Sequence, residues 1–222
     1  MLTIEQQDHL LVIKSTHPYK VLSSAMINPG IGYYQYFVNR TVPIDYYPQD
    51  ALLEYMQFLQ EEDLPLQNTV AMMTAVSQRF VFMNRYEDVD TSIFVVITAG
   101  LGNAVDVTRS HQYTYEQKIG TINIFVFIDA KLSDEALMQA YSCIIEAKTK
   151  VLMERHVVDA KSETIATGTS TDSTAIAVSE QGEFHSYGGS ITRLGSLIGK
   201  GVAHTLNEAI SDYFAYKRGE IV

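Results

Sequence analysis

Apolar runs dominate the first half of the chain. His9–Lys14, Val21–Met26, Gly32–Thr41, Val70–Val76, Phe80–Tyr86 and Thr91–Thr98 each read as a strand. One helix interrupts them over about 49–61, after Pro48, with Leu52, Leu53, Met56 and Leu59 as its apolar stripe. A further strand over 120–129 sets Ile122, Ile124, Val126 and Ile128 against Asn123, Phe125 and Phe127. Both of its faces are therefore buried, and Asn123 needs a partner in the interior. Two long helices follow. The first starts at Ser133, an N-cap followed by Asp134 and Glu135, and runs to about 155. The second runs from about Ser190 to Tyr216, after Gly188-Gly189, with the strand-like run Thr174–Val178 between the two. Strands early and long helices late predict an α+β fold in a single domain, 1–222. Its mixed, largely antiparallel sheet carries two long C-terminal helices packed on it.

The helix from Ser133 contains a conflict. Its stripe runs Leu137, Tyr141, Ile144 and Val151-Leu152, and Lys148 occupies the position that continues it. At 100° per residue Lys148 lies about 20° from Leu137 in projection. A lysine there must snorkel to water, lose its proton or meet a carboxylate. Asp172 is the best-placed acid for the third outcome.

Asp172 belongs to Ala166–Ser173 (ATGTSTDS), which packs four hydroxyls besides Thr167, one glycine and one carboxylate into a short stretch. Two readings stand. Ser, Thr and Asp can bond their own backbone in a polar turn. The same groups can supply a nucleophile, a carboxylate to orient it and backbone N–H groups for an oxyanion. Three other stretches carry the same ambiguity. Thr98–Ala104 ends an apolar strand with two glycines and Asn103, as a tight turn or a close approach to a ligand would. Gly120–Asn123 places Thr121 and Asn123 on one strand. Tyr187–Arg193 resembles an anion-binding helix N-terminus but lacks the ending of a phosphate-binding loop. Gly195 and Gly199, four apart, signal close packing more than chemistry.

Composition narrows the class. The 222 residues are 46% hydrophobic and 19% charged, as in a soluble globule with a sizeable core, and the net charge of −10 argues against nucleic acid. The longest apolar stretch, Ile93–Leu101, is too short to cross a bilayer, and the start lacks the basic region of a signal peptide. Cys143, the single cysteine, reads as a small core residue in a reducing, cytoplasmic setting. The six histidines are scattered with no metal-ligand spacing, so no metal and no protein-bound cofactor is expected. His185 is the one histidine placed to act as a proton shuttle, against a default of an exposed loop residue.

Five segments occur in order: Thr98–Ala104 (TAGLGNA), Gly120–Ile124 (GTINI), Glu146–Thr149 (EAKT), Ala166–Ser173 and Tyr187–Lys200 (YGGSITRLGSLIGK). Together they resemble the adenosylcobinamide amidohydrolase (CbiZ) family over roughly the C-terminal two-thirds, the N-terminal part fitting less distinctively. The resemblance implies cleavage of the amide that joins the aminopropanol arm to the corrin ring, giving adenosylcobyric acid for corrinoid salvage. Cobalt would enter with the substrate. In that setting Thr169, Ser170, Thr171 and Ser173 would face the scissile carbonyl, with N–H groups near Gly168 binding the oxyanion. Asp172 would act as base or orienter and Lys148 as its charge partner or proton relay. Asn103, Thr121, Asn123, Tyr187 and Arg193 would contact the substrate. The nucleophile stays open between a side-chain hydroxyl and water. A non-catalytic corrinoid-binding module, and an amidohydrolase of another small amide, are the competing functions. Exposed strand edges leave room for a homo-oligomer.

Overall fold

The computed structural model describes residues 1–89, 91–113 and 120–220. In chain order the elements are β1 (Leu2–Gln6), β2 (Leu10–Ser23), β3 (Gly30–Thr41), α1 (Ala51–Glu61), β4 (Thr69–Thr74), β5 (Phe82–Asp88) and β6 (Thr91–Ala99). They continue with β7 (Ala104–Val105), β8 (Ile122–Asp129), β9 (Lys131–Leu132), α2 (Asp134–Glu154), β10 (Gly168–Thr169), β11 (Ser173–Val178), β12 (Phe184–His185) and α3 (Arg193–Lys217). One mixed sheet runs β4-β3-β2-β11-β8-β6-β5, with β1 also paired to β2. The pairs β3–β4 and β8–β11 are parallel and the rest antiparallel. The expected α+β domain with a mixed, largely antiparallel sheet and two long C-terminal helices is what forms.

β8 is buried along both faces, as its composition demands. Ile122, Ile124, Val126 and Ile128 pack with Leu137, Ile144 and Ile198 under α2 and α3. Phe125 and Phe127 face the other way, against Tyr19, Phe37, Phe94 and Val96. Phe37 of β3 meets Phe127 at 4.7 Å between ring centroids, edge to face, although two strands separate β3 from β8 in the sheet. The sheet therefore curls, with a cluster of aromatic rings on its inner face and its helices outside. Toward one end the inner face turns polar: Thr98 pairs with Asn123, and Asn123 with Ser173, in one row across β6, β8 and β11.

The structure corrects three local expectations. The runs 9–14 and 21–26 are parts of one strand, β2, whose register on β3 slips between Lys14 and Tyr19. Pro18 falls inside that irregularity, where the missing donor costs nothing. β1, a short and mostly exposed edge strand, is not among the expected strands. In α1 the buried residues are Tyr55 and Leu59, whereas Leu52 and Leu53 are about half exposed. The Tyr55 ring fills the interior and its hydroxyl donates to Met72 O at 2.6 Å. Cys143 is buried, and burial pushes its thiol up. Among the described residues no helix is long and apolar enough to cross a membrane.

Candidate functional site

Three chain segments meet at the polar end of β6, β8 and β11. The two-residue pairing of β7 with β10 sets Gly168 opposite Val105 and Thr169 opposite Ala104. Thr167 N donates to Val105 O (2.9 Å), and Thr149 of α2 donates its hydroxyl to Thr167 O (3.2 Å). The loop after β6 and the loop before β11 are thus fastened to each other and to α2.

Lys148 projects from α2 into this junction and donates to Asp172 Oδ2. The pair is largely out of solvent, with side-chain exposures of 8% and 13%. The lysine that interrupts the apolar stripe has its carboxylate partner. Asp172 accepts three further bonds: Thr169 N (3.1 Å), Ile122 N (3.1 Å) and the Thr169 hydroxyl. Four donors converge on this one carboxylate and fix its position. Gly168 sits against both charges: a Cβ there would lie 2.7 Å from Asp172 Oδ2 and 3.0 Å from Lys148 Nζ. Space for the ion pair explains the glycine.

The neighbouring hydroxyls divide. Thr169 is buried, and its hydroxyl bonds Asp172. Ser170 and Thr171 are exposed. Asn103 donates to the oxygens of both, at 2.7 Å and 3.2 Å, and its carbonyl oxygen accepts from Ser170 N (3.2 Å). Ser170 Oγ accepts from Asn103, so that bond does not use its own hydroxyl proton. Thr171 donates to Gly120 O. A Cβ on Gly120 would fall 2.5 Å from Asn103 Oδ1, so this turn also needs a glycine. The backbone donors Thr169 N and Ser170 N, adjacent to Gly168, are already engaged by Asp172 and Asn103. Ser173 aligns with Ala175 and Ala177, which pack on the inner face of the sheet, away from Asp172.

Thr121 and Asn123 lie deeper. Thr121 shares its single hydroxyl proton between Asn123 Oδ1 (3.0 Å) and Thr171 O (2.8 Å). Asn123, 1% exposed, spends both amide protons on Asn39 Oδ1 (2.7 Å) and Met73 O (3.0 Å). These two side chains support the loop from beneath, and Asn123 has no proton left for a ligand.

Tyr187 and Arg193 are not brought to this cluster. Arg193 lines a recess with Asp88, Thr91, Glu183 and His185, at the start of β6. Asn103 and Thr121 flank the far end of that strand, eight residues or about 26 Å along it. The first turn of α3 is closed by Thr192, whose hydroxyl oxygen accepts from Gly195 N (3.0 Å). His185 stands at the same remote end, its ring bonded to Thr91.

A pair of buried aspartates was not anticipated. Asp159 accepts from Asp106 N (2.9 Å), the Tyr113 hydroxyl (2.6 Å) and Lys161 N (2.9 Å). Burial alone would raise its pKa, but these bonds hold it at about 2. Asp106 accepts from the Thr164 and Thr108 hydroxyls (2.7 Å each), which lower it as well. Together they clamp 106–113 to 159–164, directly behind β7 and β10. The signal for them was the recurrent Asp-x-Thr and Asp-x-Lys spacing of side-chain-capped turns. Among the described residues no group of three or more His, Cys, Asp or Glu side chains is placed to hold a metal.

The sequence profile of adenosylcobinamide amidohydrolases matches residues 2–218. The chain is 27% identical to an adenosylcobinamide amidohydrolase of Methanosarcina mazei, over 88% of this chain and 91% of that one. It is likewise 27% identical to an uncharacterized protein of Methanocaldococcus jannaschii, over 92% and 87%. Among solved structures, the PH0078 protein from Pyrococcus horikoshii superposes with a TM-score of 0.49 at 10% identity, over 94% of this chain and 78% of that one.

Proposed function

The chain belongs to the adenosylcobinamide amidohydrolase family, and from that premise we propose that it hydrolyses the aminopropanol amide of adenosylcobinamide at the loop 168–172. One observation carries the assignment: Asp172 holds the Lys148 ammonium on one oxygen and the Thr169 hydroxyl on the other. A nucleophile, a carboxylate that orients it and a proton source stand in line.

In this reading Thr169 Oγ1 attacks the amide carbon, since it is the hydroxyl of the four that donates to Asp172. Its proton passes to Asp172 as the C–O bond forms. Lys148 protonates the departing nitrogen, the C–N bond breaks, and Asp172 returns its proton to the lysine. Water then adds to the ester, leaving adenosylcobyric acid and restoring the threonine hydroxyl. Asp172 also fixes the Thr169 oxygen and the Lys148 ammonium through the bonds it accepts. Ser170 is exposed and its oxygen accepts from Asn103, which supports a role for its own hydroxyl proton in binding the carbonyl oxygen as it becomes an oxyanion. Thr171 keeps Gly120 and Asn103 in register beside it. The cobalt arrives with the substrate, and the reaction calls on no cofactor of the protein.

Incubating the protein with adenosylcobinamide and measuring free aminopropanol tests the proposal. Release that disappears in Thr169→Val and in Asp172→Asn is the expected result. Tight corrinoid binding without release would assign the chain to the binding-module class instead. Release by Thr169→Val at the wild-type rate would transfer the attack to water.

A further inference from the structure

A buried polar chain leads from the N-terminal half of the sheet to the loop that carries Asp172. Gln78 donates to Thr41 Oγ1 (2.9 Å) and accepts from Asn39 Nδ2 (3.3 Å). Asn39 also donates to Thr98 Oγ1 (3.0 Å) and accepts from Asn123 (2.7 Å). Asn123 accepts from Thr121, whose hydroxyl also reaches Thr171 O (2.8 Å). Thr171 is the residue before Asp172. Asn39, Gln78, Thr98, Thr121 and Asn123 are each at most 4% exposed. Burying two amides face to face is costly unless every donor and acceptor is met, and here the polar atoms of Asn39 and Asn123 all find partners.

The chain crosses the inner face of the curled sheet, from β3 to β8, where Phe37 and Phe127 make the equivalent contact farther along. An apolar pair would hold the two halves together equally well at this point. What the amides add is direction. Asn39 Oδ1 fixes the rotation of the Asn123 amide, which leaves Asn123 Oδ1 facing Thr121, and Thr121 pins the carbonyl of Thr171. We propose that Asn39 is a positioning residue: acting through Asn123 and Thr121, it sets the backbone from which Asp172 holds Thr169 and Lys148. The proposal rests on the amidohydrolase reading of that loop. Asn39 is far along the chain from every segment of the site and touches no reacting group.

The test is steady-state hydrolysis of adenosylcobinamide by the full chain, with rates normalised to the folded fraction from circular dichroism. Asn39→Ala is expected to lower kcat about tenfold to a hundredfold with KM within about twofold, since a displacement near 1 Å at the reacting groups costs that much. Thr121→Val removes the hydroxyl that joins Asn123 Oδ1 to Thr171 O and is expected to do the same; it carries the test if Asn39→Ala does not fold. The double variant should fall no more than about threefold below the worse single one, because both cut one path. Gln78→Met removes the longest bond to Asn39 while leaving those to Thr98 and Asn123, so it should lower thermal stability and leave kcat unchanged. A purely structural Asn39 gives the opposite pattern: Asn39→Ala and Gln78→Met both lose stability, and both keep wild-type kcat. That pattern overturns the positioning role alone. Absence of aminopropanol release from the wild-type protein overturns the amidohydrolase reading, and the positioning role with it.

Discussion

Two of the ion pairs that tie a helix to the rest of the fold are built for different ends. Arg40 of β3 grips Glu54 of α1 with two parallel bonds of 2.7 Å, stacks over Phe58 at 3.8 Å, and shares Glu54 with the Tyr46 hydroxyl. The Arg40 bonds hold Glu54 below its usual range, and burial followed by the Glu54 bond pushes Tyr46 up to about 12. Lys148 and Asp172 form a single point contact, more deeply enclosed, against a glycine and a hydroxyl. A planar guanidinium with aromatic neighbours is a rigid clamp that never gives up its proton. An ammonium on a flexible stem can, and it leaves donors over for a third group. The same charge arithmetic therefore serves anchorage at one place and chemistry at the other.

The sharpest way to break the contrast is Lys148→Met. It leaves Asp172 enclosed with neutral donors only. A loss of about 3 kcal/mol in chemical denaturation is expected, with amide hydrolysis abolished; intact stability and activity would remove the pair from the site. Lys148→Arg keeps the charge and separates the two roles, retaining most of the stability and losing turnover at least a hundredfold if the proton on Lys148 is transferred. Gly168→Ala drives a methyl into both charges. A tenfold or larger drop in kcat, with a melting shift of a few degrees, is expected from a Cβ that close. The counterpart at the clamp is Arg40→Lys, which should cost about 1 kcal/mol and leave kcat untouched. The smallest effect belongs to Asp159. Its carboxyl lies below its unfolded value, so its contribution is complete above about pH 4 and fades as pH falls toward 2. Asp159→Asn should flatten the acid limb of the melting-temperature profile in that window and leave neutral-pH turnover within about twofold.

What the sequence reveals here are the places where local rules conflict. Lys148 on an apolar stripe and Asn123 on a doubly buried strand both demanded partners, and Asp172 and Asn39 supply them. Ser133 caps α2 as its spacing requires, accepting from Ala136 N at 3.1 Å. Elements whose residues obey no strong local rule escaped notice. β1 is short and mostly exposed, and β7 and β10 are too short to carry a period. Asn39 sits in an ordinary strand run, and only the curl of the sheet makes it a neighbour of β8. Tyr187 and Arg193 teach the converse: order along the chain placed them beside the loop, yet β6 separates them from it by its whole length.

β11 closes the sheet by pairing with β2 on one side and β8 on the other. Ser24 and Thr174, which exchange bonds at that seam, are 150 residues apart. A chain emerging from the ribosome must therefore hold the edges of β2 and β8 that β11 will cover open until β11 has been made. The seam is also where Asp172 enters, so the reacting loop and the last long-range closure are acquired in one event. Folding should be slow for a domain of this size, and a nascent or truncated chain ending before residue 173 would be both inactive and prone to pair its edges with other chains.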